Sequence, residues 1–302
     1  MSFEKKIAVV LVTYNRVELL KLAINSLREQ LYPVEKIIVV NNFSNDGTKD
    51  YLESDQTILS YHMEYNAGGA GGFNKGIEIA SNLDVDYIWV MDDDAIATSN
   101  ALLELVEATK VIKKDWGFIC SKVISDDGIF MSGPILSNKK NISGYSNWAE
   151  YGEFGLIGVD KCSFVSFFTK KEHVINLGLP VKEMFIWGDD TEYSWRMSNK
   201  LDCYIACKSM VYHKRMDATS LNIVSEQNTV RLSWYFYLYR NTFYNIKTHG
   251  RKLKLLTFTM RCFLDVLKVL FNSKDRKVKR VSLILKGFIS GLKFSPKIDF
   301  PQ

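Results

Sequence analysis

The stretch YIWVMDDD, residues 87–94, sets the fold that the sequence predicts. Its first five residues form an unbroken apolar run, which is typical of a strand buried on both faces of a parallel sheet. Three aspartates follow directly, so the strand ends where the chain becomes acidic. Strand-like alternation points Asp92 and Asp94 the same way, an arrangement that suits a divalent cation. The alternative is a solvated acidic turn that caps a helix beginning near Ser99.

Three similar apolar runs lie upstream, and helical patterns separate them. Strands are predicted at residues 7–12, 37–40 and 58–61, and helices near residues 19–27, at 51–52 and over 74–81. Strands that alternate with helices predict a Rossmann-like α/β fold with a mostly parallel sheet flanked by helices. Ligands bind beyond the carboxyl ends of such strands. The polar clusters after the strands should therefore share one edge: TYNR (13–16), NNFSND (41–46), NAGGAGG (66–72) and DDD (92–94).

The rest of the chain divides into a mixed region and a basic helical region. Short strands are predicted at residues 118–120, 158–168 and 203–212, and a helical pattern rich in Lys and Arg begins near residue 226. We therefore predict an α/β domain over residues 1–225 and a helical, basic, amphipathic extension over residues 226–302.

Charge is distributed unevenly between these two parts. The chain has 302 residues, of which 47% are apolar and 24% charged, a balance typical of a folded globular protein. Residues 231–302 carry 16 Lys and Arg against 3 Asp and Glu, whereas residues 1–230 carry 23 against 31. A basic block of this kind predicts a polyanionic partner, either anionic lipid or nucleic acid. No nucleic-acid recognition motif accompanies the charge, so lipid is favoured and nucleic acid is not expected.

Cysteine usage and hydropathy bear on location. Five cysteines without a CxxC pair argue against a disulfide framework or a structural zinc site. The N-terminal apolar run is too short for a signal peptide, and no run reaches about 18 apolar residues. The sequence therefore predicts a cytoplasmic protein, and the basic extension predicts a peripheral position at the inner face of the cell membrane.

A second acidic motif lies in the mixed region, within FIWGDDTEYSWR, residues 185–196. A carboxylate presented from an apolar rim has a raised pKa, which suits a general base. Asp189 or Asp190 as the N-cap of a helix is the alternative interpretation. Trp187 is a candidate for stacking against a sugar, although core packing is the commoner role of such a ring.

Two further features are weaker by themselves. His213 follows the predicted strand CYIACKSMVY, and a lone histidine is more often structural than a metal ligand. The glycines of NAGGAGG allow a ligand to approach the backbone closely, and a helix from residue 73 or 74 would offer N–H groups to an anion. No GK[ST] follows, so this segment is not a P-loop.

Together these motifs resemble the family 2 glycosyltransferases of the GT-A fold over roughly residues 5–215. The resemblance implies that Thr13 and Asn15 lie near the base and ribose of a nucleotide donor. Asn41 and Asn42 stand where the family commonly has an aspartate that reads uracil or thymine, so base recognition is altered. The donor-binding residues that the resemblance implies are Thr13, Asn15, Arg16, Asn41, Asn42, Asn66, Gly68, Gly69, Gly72, Asp92 and Asp93.

Within the family, the glycine loop, the WGDD stretch and the later histidine look most like bacterial galactofuranosyltransferases and their rhamnosyltransferase relatives. The likeness implies that Asp92, Asp94 and His213 bind Mn²⁺ or Mg²⁺, with the donor diphosphate beside it. It implies Asp190 as the catalytic base of an inverting transfer and places Trp187 and Asp189 on the acceptor sugar. A UDP-sugar, such as UDP-galactofuranose, is the favoured donor.

Several alternatives stay open from sequence. A rhamnosyltransferase using a dTDP-sugar is one, and a membrane-associated protein that binds a nucleotide sugar without catalysis is another. The expected acceptor is a growing surface polysaccharide or a lipid-linked glycan.

The basic extension repeats one pattern in two helices. Lys254, Arg261, Asp265 and Lys268 share a helical face, and most of the remaining surface is apolar. Further on, Lys279, Lys286 and Lys293 recur every seven residues between apolar ones. This pattern predicts helices that lie in a membrane interface. The alternative is packing on the catalytic domain or a homo-oligomer contact.

Overall fold

A computed structural model describes residues 4–214 and 221–302 of the chain. Over these residues, ten strands form one mixed sheet with helices on both sides. The strands are β1 (Ile7–Thr13), β2 (Lys36–Asn41), β3 (Ile58–His62), β4 (Tyr87–Asp92), β5 (Ala95–Ala97), β6 (Trp116–Ile124), β7 (Ile135–Leu136), β8 (Leu156–Lys161), β9 (Phe167–Lys170) and β10 (Asp202–His213). The helices are α1 (Val17–Arg28), α2 (Thr48–Ser54), α3 (Gly68–Ser81), α4 (Ala101–Val111), α5 (Lys171–Leu177), α6 (Asp189–Ser198), α7 (Thr229–His249), α8 (Lys252–Asn272) and α9 (Lys277–Lys293).

The sheet has the order β3-β2-β1-β4-β9-β6-β10-β8-β7, with β5 paired to β10. The first four strands in this order run parallel, so their carboxyl ends meet at one edge, as the sequence predicts. β9 runs antiparallel to both β4 and β6, which makes the whole sheet mixed. The predicted α/β class, with helices flanking a central sheet, is confirmed.

Strand β1 shows why its sequence is apolar without interruption. Ile7, Val9 and Leu11 lie in a core with α1 and α4 on one side of the sheet, whereas Ala8 and Val10 lie in a core with α3 on the other. All five side chains are fully buried. Burial on both faces removes the period-two alternation that marks a half-exposed strand.

Two element predictions were wrong in their bounds. Helix α3 begins at Gly68, about six residues before the prediction, because Gly72 and Gly76 let it pack closely on β1. A Cβ at either position would lie 2.4 Å from Val12 or Val10, respectively. The predicted strand at 158–168 is two strands, β8 and β9, which pair with different neighbours.

Helices α7, α8 and α9 confirm the predicted helical extension. They share a core of their own, which includes Leu232, Tyr235, Phe258 and Ile284. The fully buried Arg280 of α9 donates hydrogen bonds to the carbonyls of residues 223 and 226. The division into units 1–225 and 226–302 stays a prediction, and the contact of Arg280 with residue 223 crosses it. Within the described ranges, no helix combines the length and hydropathy needed to cross a bilayer.

Candidate active site

Strand pairing brings His213 to two aspartates, Asp92 and Asp94, that lie more than a hundred residues earlier in the chain. β4 ends at Asp92, a two-residue turn follows, and β5 then pairs antiparallel with the end of β10, which sets Ala95 opposite His213. The Nε2 atom of His213 lies 3.0 Å from Oδ1 of Asp94. The backbone N–H of Lys214 donates to the carbonyl of Asp94 at 2.8 Å, which fixes the approach of the two segments.

The resulting cluster has the donor set of a divalent metal site. One ligand atom from each of Asp92, Asp94 and His213 lies within 4.8 Å of the other two. Carboxylate oxygens and an imidazole nitrogen suit Mn²⁺, and carboxylates with waters suit Mg²⁺. The predicted metal ligands therefore converge, and the ligand role itself stays a prediction.

Electrostatics within the cluster also fit a cation. Burial, followed by the charge of Asp94, raises the pKa of Asp92 to about 7. Burial raises the pKa of Asp93 to about 6, although the Arg16 guanidinium opposes this. Burial also acts to raise the pKa of Asp94, but hydrogen bonding and charge from His213 and the charge of Arg16 hold it below its usual value. A bound cation would stabilise all three carboxylates in their charged form.

Arg16 is a cation that the chain itself supplies to this cluster. Its Nη1 lies 2.8 Å from Oδ2 of Asp94 and 3.2 Å from Oδ1 of Asp93. The side chain is 51% exposed, so it borders both the acids and the open edge of the sheet. Its predicted role in donor binding fits this position. Thr13, at the end of β1, is buried beneath.

The predicted base-binding residues are held in a hydrogen-bonded network. Oδ1 of Asn15 accepts from the N–H of residue 45, and Oδ1 of Asn41 accepts from the N–H of residue 44. The Asn41 amide nitrogen also lies 3.1 Å from a ring nitrogen of His62. Asn41 and Asn42 are both buried. Their place beside β1 agrees with a nucleotide pocket, and base recognition stays a prediction.

Asn42 ties the end of β2 to the glycine loop. Its amide nitrogen donates to Oδ1 of Asn66 and to the carbonyl of Gly68, while its Oδ1 accepts from the N–H of Ala67. These bonds shape the loop, which is a structural role that the sequence did not reveal. Gly69 has open space where a Cβ would lie, so its backbone can be approached by a ligand.

The glycine loop contacts the loop that carries the GDD motif. Gly68 has φ of +72°, and a Cβ there would lie 2.1 Å from the carbonyl oxygen of Phe185. The N–H of Ala70 donates to that same oxygen at 3.1 Å. Close packing here brings the predicted donor loop against the predicted catalytic loop.

Asp190 lies in the first turn of α6 and near the acidic cluster. Its Oδ1 accepts from the N–H of Thr191 at 2.6 Å. Burial raises the pKa of Asp190, and the Asp190 charge contributes to the raised pKa of Asp92. The side chain is only partly buried, so it can reach a substrate. These features agree with the predicted role of Asp190 as a base beside the predicted metal ligands.

Asp189 and Trp187 were predicted to contact the acceptor sugar. Asp189 is buried, and burial together with Asp190 raises its pKa well above its usual value. Trp187 packs edge-on against Trp234 and Tyr235 of α7, with ring centroids 5.7 Å and 5.4 Å away. Both contacts are structural, and the acceptor role stays a prediction.

Helix α7 holds the GDD loop through side chains that sequence reasoning missed. Nδ2 of Asn241 lies within 3.1 Å of the carbonyls of residues 184, 186 and 187, and Nδ2 of Asn245 donates to the carbonyl of Gly188. Arg240 donates to the carbonyls of residues 183 and 184. Two asparagines four residues apart in an aromatic helix were the available signal. We refer to Arg240, Asn241 and Asn245 as the α7 clamp.

The clamp matters because the loop it holds is strained. Phe185 and Trp187 have φ of +64° and +59°, and Gly188 has φ of +111°. Positive φ is unfavourable for aromatic residues, so surrounding contacts must maintain it. The extension is therefore part of the scaffold of the site.

A family model described as Glycosyl transferase family 2 matches residues 8–156. Residues 8–156, just under half of the chain, therefore match the family 2 glycosyltransferases, and we refer to this range as the family 2 domain. The matched range includes Asp92 and Asp94, whereas Asp190 and His213 lie beyond it.

The family 2 domain also resembles characterised proteins. It is similar to galactofuranosyltransferase GlfT1 of Mycolicibacterium smegmatis, with 33% identity over 105 residues, which cover 34% of each chain. It is similar to the GalNAc(5)-diNAcBac-PP-undecaprenol beta-1,3-glucosyltransferase of Campylobacter jejuni, with 33% identity over 107 residues and again 34% of each chain. The alignments thus span about a third of the length of these relatives.

Solved structures resemble this chain in fold over most of its length. S. aureus TarS 1–349 covers 95% of this chain and 80% of its own, with a TM-score of 0.60 and 15% identity. The match to a structure of GalNAc-T7 with UDP, GalNAc and Mn²⁺ covers 85% of this chain and 54% of the GalNAc-T7 chain. Its TM-score is 0.58 and the sequence identity is 17%. At these identities the likeness concerns the fold alone, and it confirms the predicted GT-A class of the family 2 domain.

Proposed function

We propose that this protein is an inverting, metal-dependent glycosyltransferase that moves a hexose from a nucleotide-diphosphate sugar to a glycan acceptor. The observation that carries the proposal is the convergence of Asp92, Asp94 and His213 at the carboxyl edge of the sheet. Asp190 stands close enough to alter the pKa of Asp92. Family 2 membership and the GT-A fold support the reaction class.

The site residues have distinct roles in the proposed reaction. Asp92, Asp94 and His213 would hold Mn²⁺ or Mg²⁺, which would offset negative charge on the departing nucleoside diphosphate. Arg16 restrains Asp94 and supplies a further positive charge near the phosphates. The glycine loop exposes backbone to the donor at Gly69.

Asp190 is proposed as the base. Its carboxylate accepts the proton of the acceptor hydroxyl as that oxygen attacks the anomeric carbon from the face opposite the diphosphate. The new glycosidic bond forms while the bond from the anomeric carbon to the phosphate oxygen breaks, so one displacement inverts the configuration. The raised pKa of Asp190 strengthens it as a proton acceptor once it is ionised.

UDP-galactofuranose is the donor that we favour. The similarity to a galactofuranosyltransferase supports this choice. A dTDP-sugar, as for a rhamnosyltransferase, is the rival donor. A surface polysaccharide or lipid-linked glycan is the proposed acceptor, since one similar protein is named for an undecaprenol-linked substrate. We place the reaction at the cytoplasmic face of the cell membrane, where such an acceptor would be presented.

The donor is tested by incubating the purified protein with a panel of UDP- and dTDP-sugars in the presence of Mn²⁺ or Mg²⁺. Release of the nucleoside diphosphate, with and without a glycan acceptor, is measured for each sugar. Preferred turnover of UDP-galactofuranose supports the proposal, and preferred turnover of a dTDP-sugar replaces that donor with the rival.

Catalysis is tested by Asp190→Asn, which keeps the size of the side chain and removes the base. Turnover should fall by roughly 10² to 10⁴, while donor affinity stays within about threefold, because Asp190 is not in the metal-ligand cluster. Asp50→Asn, an exposed acid on α2, is the matched control. Undiminished turnover or biological activity in Asp190→Asn would favour a protein that binds a nucleotide sugar without catalysis.

A further inference from the structure

Helix α8 has two apolar faces, and among the residues that the structure describes only one of these faces is packed. Phe258, Cys262 and Val269 are buried against α7 and α9. The opposite side carries large apolar residues that recur three or four positions apart, with exposures from 49% at Leu264 to 80% at Phe271. This outer face of α8 consists of Leu253, Leu256, Met260, Phe263, Leu264 and Phe271.

The packed face by itself accounts for the position of α8 in the fold. An amphipathic helix of a globular protein needs one apolar side toward the core and a polar side toward water. On α8 the side toward water is itself apolar, over most of a helix of 21 residues. A contiguous apolar surface of this kind marks an interaction surface.

Basic residues form a row between the two faces of α8. Arg261 and Lys268 have exposed side chains, at 73% and 60%. Asp265 shares this flank but turns toward α7, where its Oδ2 accepts a hydrogen bond from the Tyr239 hydroxyl. Asp265 is largely buried and lies 3.8 Å from both Arg261 and Lys268, whose own side chains stay mostly exposed. The structure therefore refines the sequence-based pattern, because the two cations outnumber the one acid on this flank.

Helix α9 repeats the arrangement. Val278, Leu285, Ile289 and Leu292 are exposed and share one face. The row formed by Lys279, Lys286 and Lys293 runs beside that face, because each lysine directly follows one of its members. The whole region from residue 231 carries 16 basic and 3 acidic residues.

We propose that the outer face of α8 docks on the surface of an anionic lipid bilayer. Its apolar side chains would enter the boundary between headgroups and acyl chains, while Arg261 and Lys268 would contact anionic headgroups. A second copy of this chain fits less well, because a two-fold contact through this face would bring two basic helices together without opposite charge. The docking holds whether or not the chain is catalytic.

The proposal is tested by co-sedimentation of the full chain with phosphatidylcholine vesicles, with and without about 30% phosphatidylglycerol. Wild type should bind the anionic vesicles and bind the neutral ones at least tenfold more weakly. Leu256→Glu/Met260→Glu/Phe263→Glu should lose binding at least tenfold. Ile142→Glu, at a fully exposed apolar residue outside the extension, is the matched control and should bind as wild type does.

A charge variant covers the possibility that the triple variant misfolds. Arg261→Gln/Lys268→Gln alters two exposed side chains and should weaken binding to anionic vesicles by roughly tenfold to thirtyfold. Release of the nucleoside diphosphate in solution should not change in this variant, which separates lipid docking from the proposed catalysis.

Several results would overturn the proposal. Equal binding of the wild type to neutral and anionic vesicles would contradict the proposed contact with anionic headgroups. Unchanged binding of a folded triple variant would contradict the docking of the outer face of α8. Wild type that ignores vesicles but dimerises in sedimentation velocity, with dimers lost in the triple variant, would make the face a contact between copies of the chain.

Discussion

The two adjacent glycines that begin helix α3, Gly68 and Gly69, differ in what their positions require. Gly68 needs a left-handed backbone, and its Cα lies against the carbonyl of Phe185, so no side chain fits. Gly69 has ordinary φ and open space where a Cβ would lie. Their sequence context is nearly identical, so only the surroundings distinguish a glycine needed for folding from one available to a ligand.

Gly68→Ala should therefore lower the free energy of unfolding by about 3 kcal/mol, because strain at positive φ adds to a clash with backbone that cannot move freely. Gly69→Ala should change it by less than about 1 kcal/mol. Urea denaturation measures both, and equal losses at the two positions would contradict this difference. If the donor approaches Gly69 closely, the second variant should still fold yet bind the UDP-sugar more weakly.

At the scale of elements, helix α7 determines the shape of the loop that presents Asp190. The clamp residues donate hydrogen bonds to five of the six backbone carbonyls from residue 183 through residue 188. Such a contact joins the extension to the predicted catalytic loop. Motif comparison in the α/β region could not show it, because the donors lie some 55 residues downstream.

Asn241→Asp should test the clamp, since it preserves the size of the side chain and replaces a donor with an acceptor. The new carboxylate would face three carbonyl oxygens that now accept from Asn241, so the variant should lose about 2–3 kcal/mol of stability. Turnover should also fall by more than the KM for the donor changes, because the loop carries the proposed base itself. Among the described residues, its hydrogen bonding to the glycine loop is limited to the carbonyl of Phe185. Ser233→Ala, on the exposed side of the same helix, should leave both unchanged. A stability loss without any change in turnover would limit Asn241 to a structural role.

The molecule as a whole combines an acidic site with a basic surface. Burial in the folded chain raises the pKa of Asp92 and of Asp93, whereas His213 and Arg16 hold the pKa of the buried Asp94 below its usual value. Folding therefore disfavours the charged forms of Asp92 and Asp93, and a bound divalent cation would stabilise those charged forms. Binding of a cation and a nucleotide to the folded chain should consequently raise its free energy of unfolding.

Mn²⁺ with UDP, each at about 100 times its dissociation constant, should raise the free energy of unfolding by at least about 2.7 kcal/mol. For a chain of this size the shift corresponds to about 4 °C in Tm. Asp94→Asn should abolish most of the shift and Asp50→Asn none of it, and EDTA should reverse it in the wild type. Differential scanning fluorimetry measures the Tm shift in the wild type, in the two variants and after addition of EDTA. An equal shift in Asp94→Asn would exclude that carboxylate as a ligand.

Local sequence determined much of this protein. The apolar runs and the helical spacing between them were sufficient to predict the α/β class. A strand that is buried on both sides of a sheet has a continuous run of apolar residues, which can be recognised in the sequence. The polar residues after each strand were sufficient to predict that these clusters share one edge, because parallel strands bring those ends together. Their donor-binding roles came from the family resemblance and stay predictions. The sequence spacing also revealed the apolar residues of α8. It did not reveal which face of that helix is packed in the fold.

Tertiary structure alone decided the features that depend on distant partners. The pairing of β5 with β10 brings His213 to Asp94, and the α7 clamp reaches back to the loop before Asp190. The start of α3 at Gly68 depends on close approach to β1, which overrides the poor helix propensity of glycine. Contacts of this kind join residues tens to more than a hundred positions apart, so no local pattern in the sequence encodes them.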